Sequence, residues 1–306
     1  MSGIMPYAGL VSFLRAPSRT EDSKPHVVVI GVPTDFGTSY RPGARFGPRA
    51  IREASLQYAY DPVEEGLYDI ELDKTILKGL LIEDRGDVPV EPAATEKNFT
   101  TIETAAHDLF REGIFTVFLG GDHSITYPIL KGMDDPSVFL VHLDAHADFD
   151  STFESPLTHG SSLRMIHENR LVSGIVQVGL RGLLSDWEDV EEARAAGVRQ
   201  FTACEVEEKG FTPVLGAIPK DRPVYLSLDI DVFDPAIAPG TGTPEPGGLT
   251  YRQVTSLIHE IAGEVTLVGM DVVEVNPACD PTGITALLAA RVIIDTLGSR
   301  FREGVG

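Results

Sequence analysis

Short runs of Val, Ile, Leu and Phe alternate along the chain with longer segments whose apolar residues recur every three or four positions. The runs at 26–33 (HVVVIGVP), 114–121 (IFTVFLGG), 137–145 (SVFLVHLDA), 173–181 (SGIVQVGLR), 197–203 (GVRQFTA), 223–231 (PVYLSLDID) and 266–275 (TLVGMDVVEV) predict strands. Helical spacing marks 47–58, 94–113, 124–133, 185–197 and 250–263, and an amphipathic helix at 284–301 closes the pattern. Pro48 sits in the first turn of its helix, and Gly113 ends another. β-Branched strands separated by helices predict an α/β fold, a mainly parallel sheet with helices on both faces. Ligands of such sheets bind beyond the carboxyl ends of the strands.

Those ends are where the polar chemistry falls. His123 follows one strand in LGGDHS; Asp144, His146 and Asp148 follow another in LDAHAD; Asp229 and Asp231 follow a third in LDID. Carboxylates and imidazoles beside buried apolar runs need something to offset their burial, and two divalent cations would do so. Alternate residues of an extended segment point the same way, so Asp144, His146 and Asp148 can converge, as can Asp229 and Asp231. Oxygen and imidazole donors without thiolate favour Mn²⁺, with Mg²⁺, Fe²⁺ or Co²⁺ as alternatives, over structural zinc. His142 shares the face of its strand and reads as packing or as a neighbour of the site. His26, His107, His167 and His259 read as surface residues. His159, in PLTHGSS, is spaced to return over the cluster, but spacing alone leaves it open.

Composition narrows the class. At 306 residues and 42% hydrophobic the chain can bury a large core, read here as one domain over 1–306 with about the first 25 residues as an extension. No stretch reaches the ~20 apolar residues of a membrane span, and the N-terminus lacks the basic start of a signal peptide. Cys204 and Cys279 read as free thiols in a reducing, cytoplasmic setting. A formal charge of −21 argues against nucleic acid and is compatible with a cationic substrate.

Four motifs in order, GGDHS, DAHAD, SLDIDVFDPAIAPGTGTPEPGGLT and GMDVVEVNP, resemble the ureohydrolases, the family of arginase and agmatinase, over about 27–297. The resemblance implies a three-layer α/β/α fold, two Mn²⁺ per subunit and a trimer or hexamer. It implies one ion held by His123, Asp144, Asp148 and Asp229, and the other by Asp144, His146, Asp229 and Asp231. His159 matches a proton-shuttling histidine, Glu274 a carboxylate that pairs with a guanidinium, and Thr243 a residue lining the pocket; Asp148 would orient the attacking water. Such ions lower the pKa of a shared water from 15.7 towards roughly 7. The products would be urea and an amine. Arg41, Arg45 and Arg49 also lie in a matching segment, without an assigned role.

The family's substrates differ at their far end. Arginases place an asparagine where this chain has Asp150, and an acid there repels a carboxylate and attracts an amine. The expected reaction is therefore agmatine to putrescine and urea, as in polyamine synthesis. Guanidinobutyrase, guanidinopropionase, proclavaminate amidinohydrolase and arginase activities are the alternatives within the family. A non-catalytic metal-binding homologue and a dinuclear phosphoesterase are the alternatives outside it; no basic groups for a phosphate adjoin the motifs.

Overall fold

The computed structural model describes residues 5–19, 24–151 and 157–302. Its strands are β1 (Val27–Val32), β2 (Leu67–Asp69), β3 (Lys74–Ile76), β4 (Ile82–Asp87), β5 (Phe115–Gly120), β6 (Phe139–Leu143), β7 (Gly174–Leu180), β8 (Arg199–Thr202), β9 (Val224–Asp229) and β10 (Leu267–Val273). Between them lie α1 (Gly47–Ser55), α2 (Thr95–Arg111), α3 (Thr126–Met133), α4 (Ser162–Glu168), α5 (Trp187–Ala195), α6 (Ala203–Lys209), α7 (Thr212–Leu215) and α8 (Tyr251–Glu264); α9 (Ile284–Arg300) follows the last strand. Each predicted strand is present. The edge strand β4 and the antiparallel β2–β3 hairpin were not expected, because 67–87 is rich in charged residues that mask a two-residue period.

Eight strands form one parallel sheet in the order β4-β1-β5-β10-β9-β6-β7-β8. Successive strand residues face opposite layers. Val27 and Val29 join Val117, Val141 and Leu226 under α1, α8 and α9, whereas Val28, Ile30, Phe118 and Leu140 pack beneath α2, α3 and α4. Helices thus cover both faces, the architecture of three layers that the pattern predicted.

Local chemistry sets the helix ends. Thr250 caps α8 by accepting from the Gln253 amide at 3.3 Å, while the Gln253 side chain accepts from the Thr250 amide at 2.8 Å. The closing helix α9 differs from the amphipathic expectation: Ala286, Ala289, Ala290, Val292, Ile293, Ile294 and Leu297 are all buried, on several faces. It lies against α1 and α8 over the sheet, so it has little solvent side. The N-terminal segment also reaches the core. Phe13 and Leu14 are buried, and their amides donate to Asp84 (2.8 Å) and the Ser55 hydroxyl (2.9 Å).

The last strand, β10, inserts between β5 and β9. The carboxyl ends of β5, β10, β9 and β6 are therefore neighbours, although their chain order is scattered. Every ligand motif leaves one of these four strands.

Candidate metal centre

Six side chains expected to gather do so at this end of the sheet. His123 Nδ1 lies 2.9 Å from Asp144 Oδ2 and 3.1 Å from both Asp148 Oδ2 and Asp229 Oδ2. His146 Nδ1 lies 3.1 Å from Asp231 Oδ2 and 3.4 Å from Asp144 Oδ1. The donor atoms of His123, His142, Asp144 and Asp148 fall within 4.8 Å of one another, as do those of Asp144, His146 and Asp231. Asp144 belongs to both groups, the position of a bridging ligand. Asp229 touches the first group through His123 and accepts from the Asp231 amide at 2.8 Å.

His142 enters this cluster rather than mere packing. Its ring stacks on His123 at 4.6 Å, and its Nε2 lies 3.3 Å from Asp144 Oδ2. Burial drives His142 down to about 3, so it stays neutral. Of the histidines read as surface residues, His167 is exposed; His26, His107 and His259 are half-buried and bonded to Leu81, Gly132 and Ser299.

The electrostatics show what the cluster requires. Burial, then Asp231 and Asp144, lifts Asp229 well above the usual carboxylate range, and burial with Asp144 lifts Asp148. Burial opposes the charge of Asp144, but His123 and His146 hold it well below. Against burial, Asp231 and Asp144 push His146 up to about 12, and the surrounding aspartates raise His123 too. Protonated histidines thus supply positive charge for an excess of buried acid. Even so, Asp144 Oδ2, Asp231 Oδ2 and His146 Nε2 lie buried without an aligned hydrogen-bond partner. Each such atom costs about 1–3 kcal/mol. Divalent cations fit this donor set: they would satisfy the orphaned carboxylate oxygens and replace the protons on the imidazoles.

Above the cluster opens a cavity of about 720 Å³, lined by His123, His146, Asp148, Asp229, His159 and Thr243 below, with Tyr40, Asp150, Leu184, Asp186 and Glu245 among its rim residues. Glu274 is buried beneath it. Its Oε1 accepts from the His123 amide (3.0 Å) and meets His159 Nδ1 (2.9 Å), while Oε2 has no hydrogen-bond partner. His159 Nε2 faces the Ser39 amide at 3.1 Å and its hydroxyl at 2.8 Å. An amide can only donate, so the neutral ring carries its proton at Nδ1. Burial works against a charged His159, yet Glu274, Asp148 and Asp122 raise it to about 9; the Ser39 amide opposes the second proton. Asp150, pushed up to about 7 by burial, Asp148 and Asp189, stands at the rim.

Two site residues adopt left-handed backbone conformations: Asp148 has φ 49° and Glu274 φ 62°. Such strain persists in non-glycine residues where the surroundings impose it, frequently at functional sites. Sequence reasoning also passed over Asp122, although it stands inside GGDHS. Its buried carboxylate, raised to about 6 by burial and Glu274, accepts from the Gly37 amide at 2.7 Å and fixes the loop that carries Ser39.

The arginine segment resolves into three different tasks. Arg41 donates to the carbonyls of Gly242 (2.9 Å) and Thr241 (3.1 Å), Arg45 pairs with buried Asp35, and Arg49 pairs with Glu53 at 3.1 Å. Gly43 has φ 142°, where a side chain would be strained. Gly47 is needed for space rather than for a turn, since a Cβ there would lie 2.6 Å from the Val275 carbonyl.

A three-layer α/β fold with two buried donor groups sharing one aspartate presents a candidate site for a pair of cations at its strand ends. The chain belongs to the arginase family, whose model matches residues 25–298. It is 38% identical to the mitochondrial agmatinase of Gallus gallus over 297 residues, covering 94% of this chain and 85% of that one. It is 37% identical to the mitochondrial guanidino acid hydrolase of Homo sapiens, covering 94% and 82%. The solved proclavaminate amidinohydrolase of Streptomyces clavuligerus superposes with a TM-score of 0.86 at 36% identity, covering 96% of this chain and 98% of that one. These relatives bear different substrate names at nearly equal identity.

Proposed function

We propose that this arginase-family hydrolase converts agmatine and water into putrescine and urea with two Mn²⁺ per subunit. His123, Asp144, Asp148 and Asp229 would hold one ion, and Asp144, His146, Asp229 and Asp231 the other. When bound, the ions supply a water acidic enough to attack at neutral pH. The remaining chemistry belongs to the side chains. Glu274 Oε2, buried without a hydrogen-bond partner, would pair with the guanidinium, and charge-assisted hydrogen bonds would hold its planar carbon towards the cluster. Asp148 accepts a hydrogen bond from the attacking water. As the carbon–nitrogen bond to the tail breaks, His159 delivers a proton to the departing amine, a poor leaving group otherwise. Thr243 lines the slot through which the tail passes.

The observation that carries the choice of agmatine is the charge of the rim. Asp150, Asp186 and Glu245 stand there, and Arg41, the one lysine or arginine among the described lining residues, has its Nε and Nη2 bonded to the Gly242 and Thr241 carbonyls. A tail ammonium meets acids, and a tail carboxylate would be repelled by them. The test is urea release by the Mn²⁺-loaded enzyme from agmatine, arginine, 4-guanidinobutyrate and 3-guanidinopropionate. Agmatine should be the preferred substrate. Faster turnover of 4-guanidinobutyrate would overturn the rim argument, and no urea from any guanidine would overturn the hydrolase.

The free thiols of Cys204 and Cys279 support a cytoplasmic setting, and no described helix is long and apolar enough to cross a membrane. Exposed Leu183, Leu184 and Trp187 offer apolar surface that a trimer or hexamer would cover.

A further inference from the structure

Asp271 is a fully buried acid in the middle of an apolar strand, and the steps proposed above do not use it. It pairs in register with Ser227 of β9, which in turn pairs with His142 of β6, so a polar row crosses an otherwise hydrophobic sheet. Three hydroxyls converge on its carboxylate: Ser227 donates to Oδ1 at 2.7 Å, and Thr126 and Tyr225 donate to Oδ2 at 3.0 Å each. Stability alone gives no reason for this arrangement, since well-packed apolar residues commonly serve as well or better than buried charge. Among the described residues, its hydrogen-bonded connection to the metal centre runs through the Ser227 oxygen, which lies 2.8 Å from His123 Nε2.

A hydroxyl has a single proton. With that of Ser227 directed to Asp271, the oxygen facing His123 can only accept. The ring must then carry hydrogen at Nε2, so that when a cation displaces the second proton it is the Nδ1 lone pair that faces Asp144, Asp148 and Asp229. We infer that Asp271 is a positioning residue for the metal centre, acting through Ser227 to set the orientation and tautomer of His123 so that Nδ1 is presented to a divalent cation. The inference rests on reading His123 as a ligand. Partners of this kind typically change metal affinity by about 10–100-fold.

The test uses the full metal-free chain titrated with Mn²⁺, free ion being followed by its EPR signal, in wild type, Asp271→Asn, Ser227→Ala and the double variant. Each single substitution should weaken Mn²⁺ binding by about 10–100-fold, and the double should bind no more weakly than Ser227→Ala alone. Additive losses would mean that Asp271 acts on its surroundings independently of Ser227, and would overturn the inference. Unchanged affinity in Ser227→Ala would do the same even if Asp271→Asn failed to fold, which thermal unfolding of the metal-free proteins would reveal. Absence of Mn²⁺ binding by the wild type would instead bring down the metal reading itself, and this inference with it.

Discussion

Replacing Glu274 by Gln separates charge from geometry at the point where the cluster, the proton carrier and the substrate site meet. The amide oxygen of Gln can still accept from the His123 amide and from His159 Nδ1, as Glu274 does at 3.0 and 2.9 Å, so the fold should persist. What disappears is the charge that contributes most to raising His159 from 6.5 to about 9. That interval corresponds to about 3 kcal/mol in favour of the imidazolium. The proton-donating form of His159 is the protonated one, so turnover should fall as pH rises through its pKa. Bound cations pull this value down, placing the alkaline limb of wild type at or below 9. In Glu274→Gln the limb should move about 1–2 pH units lower, and kcat/KM for agmatine should drop about 10–100-fold through the lost charge-assisted hydrogen bond. The metal-free proteins give a second reading. A histidine whose folded pKa is raised stabilises the fold below its unfolded value, and that stability is lost as pH rises through the folded value. The His159 contribution, up to about 3 kcal/mol lost between pH 6.5 and 9, should therefore appear as the difference between wild type and a variant that lacks most of it. An alkaline limb left in place in Glu274→Gln would refute the idea that Glu274 sets the proton affinity of His159.

Three other outcomes follow from the same geometry. Asp144→Ala and Asp229→Ala should each lose bound metal by elemental analysis and at least about 100-fold in activity, whereas His159→Ala should keep its metal while kcat falls about 10²–10⁴-fold; loss of metal in the last variant would place His159 among the ligands. Asp150→Asn should raise KM for agmatine about fivefold with kcat nearly constant, as befits a partly exposed charge pair, and an unchanged KM would remove Asp150 from the tail site. Light scattering should return three or six times the 33.1 kDa chain mass, and a monomer would contradict the proposed assembly.

Much of this molecule is written in local patterns. A short apolar run of β-branched residues bounded by turn signals favours a strand, and the residue types that follow 120, 143 and 229 mark where the sheet meets a polar site. Alternation within LDAHAD and LDID was enough to predict convergence of those side chains. Caps and glycines set helix ends closely, since their hydrogen bonds and dihedral angles are local. The hairpin at 67–76 and the edge strand β4 escaped because charge obscured their period, and α9 was misjudged because burial on several faces leaves no polar stripe to see.

Pairing between distant segments is a different matter. No local signal says that β10, last in the chain, slides between β5 and β9, yet that placement brings Glu274 to the amide of His123 across 151 residues. The same step puts Asp271 beside Ser227, and another long-range contact ties Arg41 to the loop at 241–242. The left-handed turns at Asp148 and Glu274 likewise exist only because surrounding contacts impose a conformation that neither residue prefers. Periodicity and residue type are properties of neighbours along the chain, so the sequence determined the strands and the donors. The order of strands, the shared aspartate and the strained turns depend on the total packing of segments far apart, and only the folded molecule decided them.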